Sequence, residues 1–132
     1  MSDPAAWVLD ASALLAFLFE EPGGETVGKG LASSVISAVN LSEVIAKSAE
    51  RGAEVDHVRN DLADVGIEVA VFDADAAEAT AALRPDTRSA GLSLADRACL
   101  ALARRLQLPA VTADKAWRNT SIAAGIAVIV IR

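Results

Sequence analysis

The sequence predicts an α/β domain whose mostly parallel sheet is covered by helices on both faces. Two observations predict it: short apolar runs of strand length recur along the chain, and segments with helical spacing separate them. A third bounds the answer: 132 residues, 53% hydrophobic and 23% charged, suit one domain (1–132) with a real core. No internal repeat, low-complexity tract or linker divides the chain.

Each element follows in order. AWVLD (6–10) reads as a buried strand that ends in an acid, and ASALLAFLF (11–19) follows at once as a helix. EEPGGE (20–25) is a turn punctuated by Pro22 and two glycines, and ETVGKGLA (25–32) a short helix. SVISAV (34–39) is the second strand, and LSEVIAKSAERG (41–52) an amphipathic helix with Gly52 as its C-cap. EVDHVRNDLADVG (54–66) is a helix closing on Gly66, and IEVAVF (67–72) the third strand. DADAAEATAALR (73–84) is a helix that Pro85 ends, before a loop DTRSAG (86–91). LSLADRACLALA (92–103) is a helix apolar on nearly every side. A strand PAVTA (109–113), a helical piece DKAWRN (114–119) and a last strand IAVIVI (126–131) complete the chain.

The formal net charge of −6 argues against a strongly basic nucleic-acid binder, although bound cations can offset acids locally. The lone Cys99 excludes an intrachain disulfide and reads as a buried small hydrophobe. One Cys and one His exclude a Cys-based metal site, and His57 reads as an ordinary helix residue. MSDPAAWVLD has neither a basic leader region nor a long apolar stretch, so a cytoplasmic protein with no membrane association is expected.

Four acids stand out by position. Ligand sites in open α/β sheets form outside the carboxyl ends of the strands. Asp10 closes the first strand, Glu43 follows the second closely, Asp96 opens the apolar helix and Asp114 follows the fourth strand. Capping explains any one of them: Asn40 with Glu43 and Ser93 with Asp96 have capping-box spacing, and Asp10 and Asp114 suit N-caps. Capping does not explain four acids on one side of a sheet. Converging carboxylates repel unless a cation sits between them, and a hard divalent ion, Mg²⁺ or Mn²⁺, suits oxygen ligands. Such a site can activate water and stabilise the charge of phosphodiester hydrolysis.

VLDASALLAFLFEEPG, VISAVNLSEVIAK, GLSLADRACLALARRLQLPAVTAD and TADKAW together resemble PIN-domain proteins, specifically VapC-type toxins of bacterial type II toxin–antitoxin systems. The resemblance runs in order from about residue 7 to 131. It implies a three-layer α/β/α PIN-like fold and a Mg²⁺-dependent endoribonuclease, with Mn²⁺ as a substitute and tRNA or another structured RNA as target. Carried over residue by residue, it makes Asp10 and Asp96 the principal metal ligands, with Glu43 completing the acidic pocket and Asp114 acting directly or through water. Ser12, Asn40 and Thr112 match supporting positions, where turn and cap hydrogen bonds are the other reading. Some relatives carry a further acid shortly after the fourth; here Trp117 is nearby, which leaves the number of metals open.

The resemblance also implies partners: a homodimer silenced by a VapB-type antitoxin, as a heterotetramer or larger. Such an antitoxin lays an apolar helix and an extended tail across the toxin and sets a basic side chain in the acidic pocket. Leu14, Leu15, Phe17, Leu18 and Phe19 make the first helix apolar over most of its circumference. That suits either a docking groove or core and dimer contacts. Among the cations, Arg97 and Lys115 directly follow proposed ligands and could reach an RNA phosphate; Lys47, Arg51, Arg84, Arg88, Arg104, Arg105 and Arg118 read mostly as solvated surface. With so few aromatics, base stacking does not carry recognition. A receiver domain would need adjacent acids after the first strand and a late lysine, and a haloacid-dehalogenase-type phosphatase an acid where Ser12 stands. The remaining alternative is a PIN-fold binding or regulatory module without significant nuclease turnover.

Overall fold

The computed structural model describes residues 6–118 and 125–132. Five strands, β1 (Trp7–Leu9), β2 (Ser34–Ser37), β3 (Glu68–Ala70), β4 (Ala110–Thr112) and β5 (Val128–Val130), form a sheet in the order β3-β2-β1-β4-β5. Every pairing among them is parallel. The helices are α1 (Ala11–Leu18), α2 (Gly24–Lys29), α3 (Ala38–Glu50), α4 (Val55–Val65), α5 (Ala74–Ala82), α6 (Arg84–Thr87) and α7 (Leu94–Leu106).

The strand register sorts the core into two layers. Val8 lies opposite Val35 and Ala110, and Leu9 opposite Ile36 and Val111. Successive side chains leave opposite faces of a strand. Val8, Val35 and Ala110 therefore pack with Cys99, Leu100 and Ala103 of α7 and with Leu83 and Trp117. Leu9, Ile36 and Val111 pack on the other face with Leu14, Val27, Val44 and Leu62, one from each of α1 to α4. Two apolar clusters on the two faces of one sheet make the three-layer α/β/α arrangement expected from the sequence. No helix among the described residues is long and apolar enough to cross a membrane.

Several boundaries differ from expectation, each for a local reason. The strand expected over 34–39 stops at Ser37, whose hydroxyl accepts the Val39 N–H at 3.3 Å and starts α3. Asn40 is consequently inside the first turn of α3, not its cap. Pro85 does not end a helix; it occupies the first turn of α6, where a missing N–H costs nothing, and the expected loop 86–91 continues as helical turns to Ala90. The apolar helix starts at Leu94, where Ser93 and Asp96 form a full capping box, and runs on until Gln107 takes a left-handed conformation. It is less enclosed than its composition suggests, for Leu94 is 58% exposed. The expected helical piece 114–119 has Trp117 and Arg118 in helical geometry, and Asn119 lies outside the described residues.

Helices α1 and α2 meet with no room for a side chain between them. A Cβ added at Gly24 would fall on the carbonyl oxygen of Ala16. Because that neighbour is backbone, it cannot rotate away, and Gly24→Ala is expected to cost about 3 kcal/mol. A urea midpoint unchanged from the parent would contradict this close approach.

The strand order locates the crevice. From β1 the chain moves outward to β2 and β3, then returns to the other side of β1 for β4 and β5. The switch point lies between the carboxyl ends of β1 and β4, the place where open α/β sheets bind ligands.

Candidate functional site

Asp10 follows β1 directly and caps α1 at that switch point. It is 4% exposed. Its Oδ1 accepts the Ala13 N–H at 2.8 Å, and its Oδ2 accepts the Thr112 hydroxyl at 2.6 Å. The Ser12 hydroxyl donates to both oxygens, at 2.8 and 2.9 Å. Thr112 ends β4, and Asp10 with Ser12 lies where β1 passes into the first turn of α1, so the two strands flanking the switch point share one carboxylate. The same hydroxyls accept in turn: Ser12 Oγ from the Ala113 N–H at 2.9 Å, and Thr112 Oγ1 from the Asp114 N–H at 3.0 Å. Ser12 and Thr112 thus do make turn hydrogen bonds, and they also hold the carboxylate of Asp10.

The electrostatics run against these contacts. Burial pushes the Asp10 carboxyl up from 3.8 to about 6; the hydrogen bonds from Thr112, Ala13 and Ser12 pull it down, and the nearby charge of Asp96 adds to the upward push. Cys99, fully buried one turn along α7 from Asp96, has its thiol raised first by burial and then by Asp10, Asp96 and Glu43. Three of the four acids therefore bear on one point of α7.

Their carboxylates are held differently. Asp96 is half-buried, and its Oδ2 accepts the Ser93 N–H at 3.0 Å in the capping box. Glu43 is half-buried on α3. Asp114 is exposed, and its Oδ1 accepts the Ala116 N–H at 2.9 Å. Asp114 joins the site through its backbone bond to Thr112, while its carboxylate closes a local turn. Among the described residues, no three Asp, Glu, His or Cys side chains converge closely enough to hold one ion together.

The positions named for support and RNA contact divide as well. Asn40 is buried and bonds across to α7. Arg97 is only 9% exposed, and its Nη1 donates to the Leu92 carbonyl at 3.0 Å, which turns that nitrogen toward the protein's own backbone. Lys115 is exposed beside Asp114. His57 is exposed, 3.8 Å from Glu54 at the N-cap of α4.

One feature was not singled out in the sequence. A groove of about 1150 Å³ lies between the end of α1, the turn into α2 and α4. Phe17, Leu18, Leu62 and Val65 give it an apolar lining. Glu20, Glu21, Glu25, Asp61 and Asp64 surround that lining with negative charge. The run EEPGGE was the available signal, but the acids of α4 join it only through the fold.

The donor set suits a hard divalent cation, since it offers carboxylate and hydroxyl oxygen only. Mg²⁺ commonly takes one or two carboxylates and keeps several waters. The absence of a three-acid cluster among the described residues is compatible with that habit. The raised carboxyl of Asp10 fits too: a cation beside it would favour the ionised form that burial opposes.

No curated protein matches the chain in sequence. Solved structures match it in shape. A toxin–antitoxin complex from Klebsiella pneumoniae contains a chain with a TM-score of 0.75 at 20% identity, covering 96% of this chain and 98% of that one. A chain of the DNA-bound VapBC from Salmonella typhimurium gives 0.71 at 20% identity, covering 97% and 99%. A chain of FitAcB from Neisseria gonorrhoeae gives 0.70 at 20% identity, covering 93% and 96%. Residues 7–123 match the PIN domain, a span running from the first residue of β1 past β4 and so including all four acids; the chain belongs to the PIN domain family.

Proposed function

We propose that this chain is the VapC-type toxin of a type II toxin–antitoxin pair and acts as a metal-dependent endoribonuclease on tRNA or another structured RNA. The carrying observation is Asp10: a carboxylate buried at the switch point of the sheet, held by Ser12 and Thr112, and raised to about 6 with Asp96 nearby. A residue needed only as a helix cap has no need of such burial. Asp10 and Asp96 would hold Mg²⁺, or Mn²⁺ in its place, with Glu43 and Asp114 contributing directly or through water. When bound, the ion supplies Lewis-acid stabilisation of charge on phosphate oxygens and favours deprotonation of an attacking water.

The protein's own groups have separable tasks in this reading. Ser12 and Thr112 fix both oxygens of Asp10. The capping box orients Asp96 by tying its carboxylate to the start of α7. Helices α1 and α3 begin at the carboxyl ends of β1 and β2, so their N-termini bring positive dipole ends to an otherwise negative edge. Lys115 is the exposed cation adjacent to the site and the candidate for phosphate contact.

The groove at α1 and α4 is proposed as the seat of the antitoxin, through a helix with apolar anchors and basic flanks. Charge complementarity supports that occupant: five carboxylates surround an apolar lining, which discourages RNA and favours a cationic segment. Similar chains in solved structures occur in toxin–antitoxin and VapBC complexes.

The test is cleavage of purified tRNA and total RNA by the purified chain, with Mg²⁺ or Mn²⁺ against EDTA. Discrete fragments that require the metal are expected. Intact RNA from folded protein free of any partner would favour the binding-module alternative.

A further inference from the structure

A buried side-chain amide joins the helix that carries Glu43 to the helix that carries Asp96. Asn40, in the first turn of α3, is 1% exposed. Its Nδ2 donates to the Ala95 carbonyl at 3.0 Å across 55 positions of sequence. Ala95 immediately precedes Asp96, and Asn40 lies three positions before Glu43, on the same face of α3. One hydrogen bond thus fixes the first turn of α7 against the first turn of α3.

The orientation of the amide follows from chemistry. Turned over, its oxygen would face the Ala95 oxygen, and two acceptors make no bond. With Nδ2 used in this way, Oδ1 is left buried with no donor. Native structures seldom keep a buried acceptor unpaired without a reason. Ala95, whose carbonyl takes the Nδ2 bond, is the neighbour of Asp96, and one turn further along α7 the Cys99 thiol feels the charges of Asp10, Asp96 and Glu43.

We propose that Asn40 is a positioning residue of the acid site. Its Nδ2 holds the turn of α7 that carries Asp96 against the turn of α3 that carries Glu43, and its Oδ1 accepts an O–H donor that enters with a hydrated divalent cation. This rests on the metal-dependent reading above and adds to it a residue that sets metal affinity without being a ligand.

The test measures Mn²⁺ affinity calorimetrically for the parent, Asn40→Leu and Asp96→Asn, with urea unfolding of each. Leucine has the same branching as asparagine and removes the donor together with the unpaired acceptor; its methyl groups are larger than the amide's O and NH₂, so the urea unfolding shows whether the fold holds. Its Mn²⁺ affinity is expected to fall about 10- to 100-fold, as for residues that orient ligands. A folded Asn40→Leu variant within about twofold of the parent overturns the inference, since outer-shell effects are larger. Loss in Asp96→Asn with retention in Asn40→Leu overturns this inference alone; equal binding by the parent and Asp96→Asn overturns the metal reading itself. If Asn40→Leu does not fold, the side-chain NH₂ signals of Asn40 in the parent decide. They are expected to shift as Mg²⁺ saturates, and stationary signals overturn the proposal.

Discussion

Asp10→Asn is expected to make the metal-free protein more stable at neutral pH while removing the proposed nuclease activity. The carboxyl of Asp10 titrates near 3.8 when unconstrained and at about 6 in the fold, so the folded state binds the proton more tightly. Below about pH 4 the group is neutral in both states and the fold keeps its full stability. As the pH rises through about 6, that advantage is lost, and the difference amounts to about 2–3 kcal/mol. Asparagine carries no charge to bury; its carbonyl can accept the Ala13 N–H, and its NH₂ can donate to the Thr112 hydroxyl, which can accept as well as donate. Urea unfolding at about pH 5 and pH 8 checks this: the parent weakens with rising pH, and the variant shows a much flatter dependence. A parent that is equally stable at both values would show that its acid is not the strained group described here. Mg²⁺ is expected to raise the melting temperature of the parent at pH 8 and to leave that of Asp10→Asn unmoved.

Asp96→Asn separates capping from chemistry. The carboxylate of Asp96 accepts the Ser93 N–H, a bond that an asparagine carbonyl can also accept. Stability is therefore expected to stay within about 1 kcal/mol of the parent. The proposed metal-dependent RNA cleavage is expected to fall about 10³-fold, because a neutral amide neither attracts a divalent ion as strongly nor restores the lost charge. If Asp96 served only as a cap, cleavage by the variant would match the parent.

The positions of the acids were legible in the sequence because strand ends and helix starts are local signals. Asp10 after VL and Asp96 three residues beyond Ser93 need no knowledge of distant contacts. The α/β architecture was legible for the same reason. What the sequence could not supply was long-range pairing. Asn40 has capping-box spacing to Glu43, yet Ser37 starts the helix and Asn40 turns to a carbonyl 55 positions away. Arg97 follows a proposed ligand, but the next residue on a helix points about 100° away, and here that direction is the core. The acidic groove has no contiguous signature in the sequence, because its charges come from the turn after α1 and from α4, which only the fold sets side by side.

The central claim is that Asp10 and Asp96 are held for a divalent cation. Calorimetric titration of Mn²⁺ into the parent, Asp10→Asn and Asp96→Asn at about pH 8, above the folded titration of Asp10, tests it most directly. Saturable binding by the parent that is lost or strongly weakened in both variants is the predicted result. Variants that bind Mn²⁺ as the parent does, or a parent that binds none, would contradict it.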